Sequence, residues 1–496
     1  LKLHPKFKEL ALLSAITCGA VVVHGYHPNA EDAAIYLPGV EKALYPALFP
    51  QNQQFFASHA RLTIFPHLIA WSCRITHLSL YQALFLWHVT SIFLLLFACW
   101  KFSGFVTEVR LARWAGVGLV AALLTLPVAG TALYIMDQYV NPRNLSAFVG
   151  VLAVVLVLER RLVAACLLLL LGVAIHPFMS FFAAGYCVLL FGSMREKGLP
   201  VYSVASVSPL SFFYPESTPA YHEVALSHPY HYLLRWQWYE WLGAFGPLVI
   251  LWILSRWADS RGRRALHLVC KTLLVVGAIS VAAALFLAIP DRFETLARIQ
   301  PLRSLYLIYL LLLVMAGALI GENLLKAHVG RWIALFLPMC LGMLLAQRAL
   351  FPASDHIEWP GEKSQNPWVQ AFEWTRGNTP LDALFALDPY HMRIAGEDAN
   401  GFRAIAQRSM LADAVKDSGA VSMFPSLADA WFHQVEAERN WKTFQAQDFQ
   451  RLQREYGVTW VVLERPAVPG LNCLYQNQVV SVCRLENDSL TKQFHP

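Results

Sequence analysis

What this chain is short of is charge. Asp, Glu, Lys and Arg make up 15% of its 496 residues, against about 25% in ordinary soluble domains, which excludes a water-soluble class for most of its length. Its cysteines lack pattern as well. Seven of the nine (Cys18, Cys73, Cys99, Cys166, Cys187, Cys270 and Cys340) lie in or beside apolar runs with no Cys-x-x-Cys spacing, as buried thiols do and metal ligands do not. A single charged patch is missing too. The formal charge of +6 comes from basic residues placed at the ends of apolar runs, which is how topology determinants are placed, and a nucleic-acid-binding face is not expected.

What is present is apolar length. Hydrophobic residues reach 56%, and long runs between 114 and 350 are broken only by short basic clusters. From Asp355 onward acids and bases interleave at soluble density, so the boundary between a transmembrane domain, 1–351, and a soluble domain, 352–496, falls near Phe351 and Pro352. A bilayer core takes about 20 apolar residues in helical form, because every backbone polar group must be satisfied within the segment. Ten segments qualify: 10–23, 80–100, 114–136, 145–158, 162–175, 178–191, 241–254, 266–289, 304–320 and 332–345. The chain starts at Leu1, so upstream residues are expected to be missing, and 10–23 lacks a cleavage site after it and reads as a first span.

Two further segments are ambiguous, 62–75 and 199–214. If the first lies along the membrane surface and the second crosses, the clusters at Lys2/Lys6/Lys8, Lys101/Arg110/Arg113, Arg160/Arg161, Arg195/Lys197, Arg256/Arg261/Arg263/Arg264 and Lys326/Arg331 share one side. The positive-inside rule selects this arrangement. It gives about eleven spans, a cytoplasmic N-terminus, and outer loops at 25–61 and 215–240 with the soluble domain on the outer face. A disulfide between Cys473 and Cys483, across a hairpin turning at Gln476 and Asn477, would fit an oxidising compartment there.

The unusual residues fall in the outer loops. Glu31 and Asp32 follow the first span and precede a short amphipathic stretch at 40–49 suited to the interface. Such a pair is either a helix cap, with Asn29 or Asp32 taking free backbone N–H groups, or a general base at the membrane surface. Arg61, Arg143, Arg298 and Arg303 fall at outer span ends, with His176 at a helix break. Guanidinium groups there either snorkel to headgroups, pair with Asp137, Asp291 or Glu294, or bind phosphate in a bidentate fork. The stretch Arg298-Ile-Gln300-Pro-Leu-Arg303 is the sharpest case, because Pro301 suits a first helical turn whose free N–H groups would face an anion. Aromatics and histidines crowd 214–241 without ligand spacing, as in an interfacial belt or a sugar-stacking platform. The soluble part alternates helices (368–376, 426–440, 444–456) with strands (383–387, 459–463 and the final hairpin), a small α/β domain. It carries no glycine-rich phosphate loop, nucleophile elbow or metal motif.

An acidic residue opening a large loop after the first span, interfacial pieces at 40–49 and 62–75, many further spans and an outer C-terminal domain together resemble the GT-C class of membrane glycosyltransferases. The closest likeness is to uncharacterised bacterial multi-span proteins of this type, and the lack of a WWD-like signature sets the oligosaccharyltransferase subgroup aside. The resemblance implies an α-helical polytopic membrane protein of the bacterial inner membrane, with a periplasmic or extracellular α/β domain. It also implies transfer of a sugar from a polyprenyl-phosphate donor. Asp32 and Glu31 would then be catalytic, and Arg61, Arg143, His176, Arg298, Gln300 and Arg303 would bind substrate, with the donor phosphate at Arg298, Arg303 and Arg143. A divalent metal is left open as a cofactor, and membrane lipids, the polyprenyl-phosphate lipid and a membrane protein complex as partners. The alternative is a non-catalytic accessory or structural subunit that keeps a GT-C-like scaffold.

Overall fold

The computed structural model describes residues 5–195, 217–288 and 294–486. Seven of its helices are long and apolar enough to cross a membrane, and the chain is an integral membrane protein of helical type with a small C-terminal sheet. Five of the seven are Leu80–Ser103, Pro177–Met194, Trp238–Ser260, Arg264–Leu287 and Val329–Leu350, and a sixth runs within Pro5–His24. The seventh, Glu294–Leu325, joins a short helical turn, a 3-10 turn and the Leu305–Ile320 helix. Two of the ten expected spans, Pro142–Leu158 and Leu162–Ile175, form shorter apolar helices.

The expected span 114–136 differs most. Its helix runs Arg110–Ala122 and then stops. Thr125, Pro127 and Gly130 interrupt the apolar run, Ala129 and Ala132 take left-handed conformations, and Pro127 bridges to Tyr134. Apolar length alone hid those breakers. The segment 199–214, on which the span count also turned, lies outside the described residues, as do Lys2, Lys197 and Asp291.

The described residues fall into two compact units. The first comprises 5–26, 84–195, 217–218, 225–288 and 294–347. Its tightest pairing joins Arg110–Ala122 to Leu305–Ile320, and glycines make it so. A Cβ placed on Gly317 would meet the Ala115 carbonyl oxygen at 2.6 Å, and one on Gly116 would meet the Val314 carbonyl oxygen at 2.8 Å. Gly317 and Gly321 stand four apart, the small-xxx-small spacing by which membrane helices bring their backbones together. Several polar groups inside this unit pair with one another: Arg143 donates to Asp137 at 2.5 Å, Asn141 to the same carboxylate at 2.7 Å, and Gln138 pairs with Gln347.

The second unit comprises 27–83, 219–224 and 348–486. Its sheet holds β1 (Leu384–Ala386), β2 (Ser409–Met410), β3 (Trp460–Glu464), β4 (Asn472–Gln476) and β5 (Val480–Arg484), in the order β2-β1-β3-β5-β4. The β1 pairings are parallel and those of β5 antiparallel. Alternation sorts side chains to two faces. Phe385, Trp460, Val462, Val480 and Val482 pack with Trp368 and Phe372 of the Pro367–Asn378 helix. Leu384, Ala386, Val461 and Leu463 pack with Phe449 and Leu452 of the Ala446–Tyr456 helix. Cys473 and Cys483, paired across β4 and β5, are joined in a disulfide, and Asn477 closes the hairpin by accepting from the Val479 and Val480 N–H groups.

The loop after the first span packs into this same unit. Its main helix is Ala33–Leu44, which starts seven residues before the expected stretch at 40–49 and is largely buried. A second helix, Phe65–Thr76, has 12 residues. At 1.5 Å per residue that is roughly 18 Å, short of a hydrocarbon core of about 30 Å. Arg74, which interrupts the apolar run, donates to the Ala43 carbonyl at 2.6 Å. Between residues 402 and 423 the fold adds the short helices Phe402–Ala406 and Asp417–Met423 and the two-residue β2, none of which periodicity marked because each is shorter than two turns.

Replacing Gly317 with Leu should force the two helices of the first unit apart and lower stability by about 2 kcal/mol, the usual scale of overpacking. Gly342→Leu, where an added Cβ has nothing within 4 Å, is the control. Thermal melts of detergent-purified protein measure both, and equal melting temperatures would contradict the close-packing account.

Candidate functional site

The loop that opens with the acidic pair is pinned at both ends of its turn. Glu31 donates its backbone N–H to the Ala399 carbonyl at 2.8 Å, and Gly401 donates to the Asn29 carbonyl at 3.0 Å. Residue 401 must be glycine for this approach, since a Cβ there would stand 2.6 Å from the Ala34 Cβ. Glu31 itself takes a left-handed conformation, with φ of 56°. That twist brings the side chains of two consecutive residues to one partner.

The partner is Lys416. Its Nζ lies 2.5 Å from Glu31 Oε2 and 3.0 Å from Asp32 Oδ1. Burial pulls the lysine's acidity up, but Asp32 and Glu31 outweigh it, and its proton is held more tightly than in water. The Lys416 side chain is 14% exposed, Asp32 31% and Glu31 47%. A buried cation therefore carries two carboxylates that reach solvent. Asp32 occupies the N-cap position of Ala33–Leu44 but makes no side-chain cap bond; Asn29 accepts from the Tyr81 hydroxyl at 3.2 Å. The capping explanation of the pair is thus not the one the fold uses.

Lys416 is placed by a buried charged layer. Asp413 Oδ1 accepts from the backbone N–H groups of Val415 and Lys416 at 2.8 and 2.5 Å. Asp413 N–H in turn donates to Asp417, whose carboxylate takes both terminal nitrogens of Arg403 at 2.7 and 2.8 Å. All three charged side chains are at least 96% buried, and the fork-to-fork geometry fixes direction as well as distance. Glu397, also buried, accepts from the Asn400 N–H at 3.0 Å. Burial pushes its carboxyl well above the usual range, with Asp398 and Glu31 adding to the effect. Glu41, on Ala33–Leu44, accepts from Gln407 at 2.9 Å and is likewise raised by burial.

The remaining candidates occupy other places. Arg61 is the exposed C-cap of Gln54–Ala60, in the second unit. Arg143 is buried in its pair with Asp137, one of the partners the sequence offered. His176 caps Pro177–Met194 by accepting from the Met179 N–H at 3.3 Å. Arg298, Gln300 and Arg303 cluster at the entry to Leu305–Ile320: Gln300 is left-handed, Pro301 opens the 3-10 turn, and both arginines are half-buried. Nearby, the His228 and His231 rings stack at 5.5 Å, and burial, with His228 and Arg303, holds His231 well below its usual range. Among the described residues, no group of three or more His, Cys, Asp or Glu stands as a metal cluster. Lys416 and Glu41 were not found from sequence, since their partners stand hundreds of positions away, and Glu397 was not found because no local spacing marks it.

No family model matches the chain, and no curated protein does. Among solved structures, the Archaeoglobus fulgidus oligosaccharyltransferase in its apo form is similar over 93% of this chain and 70% of its own, at 12% identity and a TM-score of 0.47. The archaeal oligosaccharyltransferase AglB from the same organism, in complex with an inhibitory peptide and a dolichol-phosphate, is similar over 92% and 69%, at 11% identity and a TM-score of 0.48. A likeness of this size carries no argument about what the chain does.

The buried layer behind Lys416 sets a pH test. Burial holds His391 down at about 4, below its unfolded value of about 6.5. Between those values the unfolded chain binds more protons, so this group's contribution is lost as pH falls. Asp417 opposes it. Burial, against the pull of Arg403, lifts it to about 6, above about 3.9 in the unfolded chain, so its contribution is lost as pH rises through that window. His391→Gln should therefore keep more of its pH 8 stability at pH 4.5 than the parent, and Asp417→Asn less. Melts at the two pH values measure it, and parallel slopes for all three proteins would contradict the assignment.

Proposed function

We propose that the chain is a GT-C-type membrane glycosyltransferase, moving a sugar from a polyprenyl-phosphate donor to an acceptor hydroxyl at the outer face of the membrane. The observation that carries the proposal is the Glu31–Asp32 pair, set directly after the first span, turned toward solvent and held from behind by Lys416. A rigid, half-exposed carboxylate supported by a buried cation is a preorganised place to orient a hydroxyl.

In the proposed step the acceptor oxygen bonds to the anomeric carbon of the sugar. The bond from that carbon to the phosphate oxygen breaks, and polyprenyl phosphate leaves with the electron pair. Asp32 accepts the hydroxyl proton as the new bond forms, and Glu31 holds the acceptor's approach. Because Lys416 is hydrogen-bonded to both carboxylates, the larger share of Asp32's role is orientation. Charge develops on the phosphate as it leaves. Arg298 and Arg303, two guanidinium groups at one helix entry with Gln300 between them, are assigned to it. Arg143 and His176 have structural partners on which their loops depend, and Arg61 is assigned to the donor or to lipid headgroups. The basic clusters of the sequence support a cytoplasmic N-terminus, and the disulfide in β4–β5 supports an oxidising compartment for the sheet.

Asp32→Asn should lower the release of polyprenyl phosphate from a panel of polyprenyl-phosphate sugars by about 100-fold or more, with expression and melting temperature close to those of the parent. Full activity in the variant would remove Asp32 from the mechanism.

A further inference from the structure

The proposed class leaves a divalent metal open as a partner of the acidic pair, and the residues present answer that question. A hard cation bound by Glu31 and Asp32 would stand about 2.0 to 2.6 Å from their oxygens. The Lys416 ammonium already stands 2.5 and 3.0 Å from one oxygen of each. It is not a loose surface side chain that could swing aside. Its backbone N–H is held by Asp413 at 2.5 Å, its carbonyl accepts from the Gly419 N–H at 3.0 Å, and its side chain is 86% buried. Behind it the Arg403–Asp417 fork holds the turn.

The neighbouring carboxyls do not complete a metal shell either. Asp398 and Glu397 each give one oxygen to the chain that pins the loop, at 2.9 Å to the Ala353 N–H and 3.0 Å to the Asn400 N–H; Glu397 Oε1 is buried with no hydrogen-bond partner, but among the described residues no group of three or more His, Cys, Asp or Glu stands together as a metal cluster. A divalent ion would have to expel a buried lysine or sit beside its charge.

We infer that Lys416 is the built-in cation of the Glu31–Asp32 centre, a positioning residue that takes the place of a divalent metal. This rests on the proposed function for the meaning of the site, but its chemistry is tested without any transfer assay. The tethered ammonium does part of what a metal would do: it fixes two like-charged carboxylates in one geometry and offsets their repulsion. It occupies the place between Glu31 Oε2 and Asp32 Oδ1 that a bridging ion would need, and transfer at this site is therefore indifferent to chelators.

The test is Mn2+ binding to the full-length protein in nanodiscs, read as loss of the free-ion paramagnetic resonance signal. The parent and Lys416→Arg should bind no Mn2+ that depends on Asp32. Lys416→Met, which removes the ammonium and keeps the side chain's volume, should gain a site that disappears again when Asp32→Asn is added. Melting temperatures monitor folding of each variant. The inference is overturned if the parent binds Mn2+ and loses it on Asp32→Asn, a comparison that does not depend on any change at Lys416. If no sugar transfer is found with any donor while the parent remains silent to Mn2+, the proposed reaction fails and the assignment of Lys416 stands.

Discussion

One lysine holding two carboxylates is the constraint around which the second unit is organised. Glu31 and Asp32 belong to the loop after the first span, and Lys416 to a turn 384 residues further on. Bringing them together requires the loop to be threaded into the C-terminal fold. The backbone bridge of Ala30 to Asn400, the glycine at 401 and the left-handed residues at 31, 398 and 399 all serve that meeting. A two-against-one charge group that is only partly exposed would be costly if any member were misplaced. The buried Arg403–Asp417–Asp413 layer supplies the fixed geometry that keeps Lys416 in register.

The first unit solves a different problem, that of packing helices without a hydrophobic driving force between them. Its answer is backbone proximity at Gly116, Gly317 and Gly321, with the buried Arg143 paired to Asp137. Arg143 and Asp137 illustrate how an arginine at a span end can be explained by its own loop. Arg298 and Arg303 differ in setting: they frame a left-handed Gln300 and a proline-opened turn at the head of a long apolar helix.

Much of this was legible in the sequence where one physical signal dominated. Apolar length marked the helices, and the positive-inside rule read the ambiguous segment 62–75 as lying along the membrane surface. Short apolar strands alternating with helices and the turn at Gln476 and Asn477 outlined the sheet domain. What was not legible depended on contacts across hundreds of residues. Lys416 sits in an unremarkable polar run, and nothing local distinguishes it from a solvated lysine. The early start of the Ala33–Leu44 helix was missed because its first turns are buried by the second unit instead of being amphipathic toward a membrane. The break after Ala122 was missed because the residues beyond it are apolar enough to imitate a continuing span.

That Asp32 and Lys416 form one fixed charge centre at which a lipid-linked sugar is transferred is tested most directly by a cryo-electron microscopy map of the full-length chain in nanodiscs with a polyprenyl-phosphate sugar. The predicted result is sugar density against the Asp32 carboxylate, with the Lys416 ammonium still bridging it to Glu31. A bound donor whose sugar lies away from residues 31 and 32, with the ion pair untouched by substrate, would contradict it.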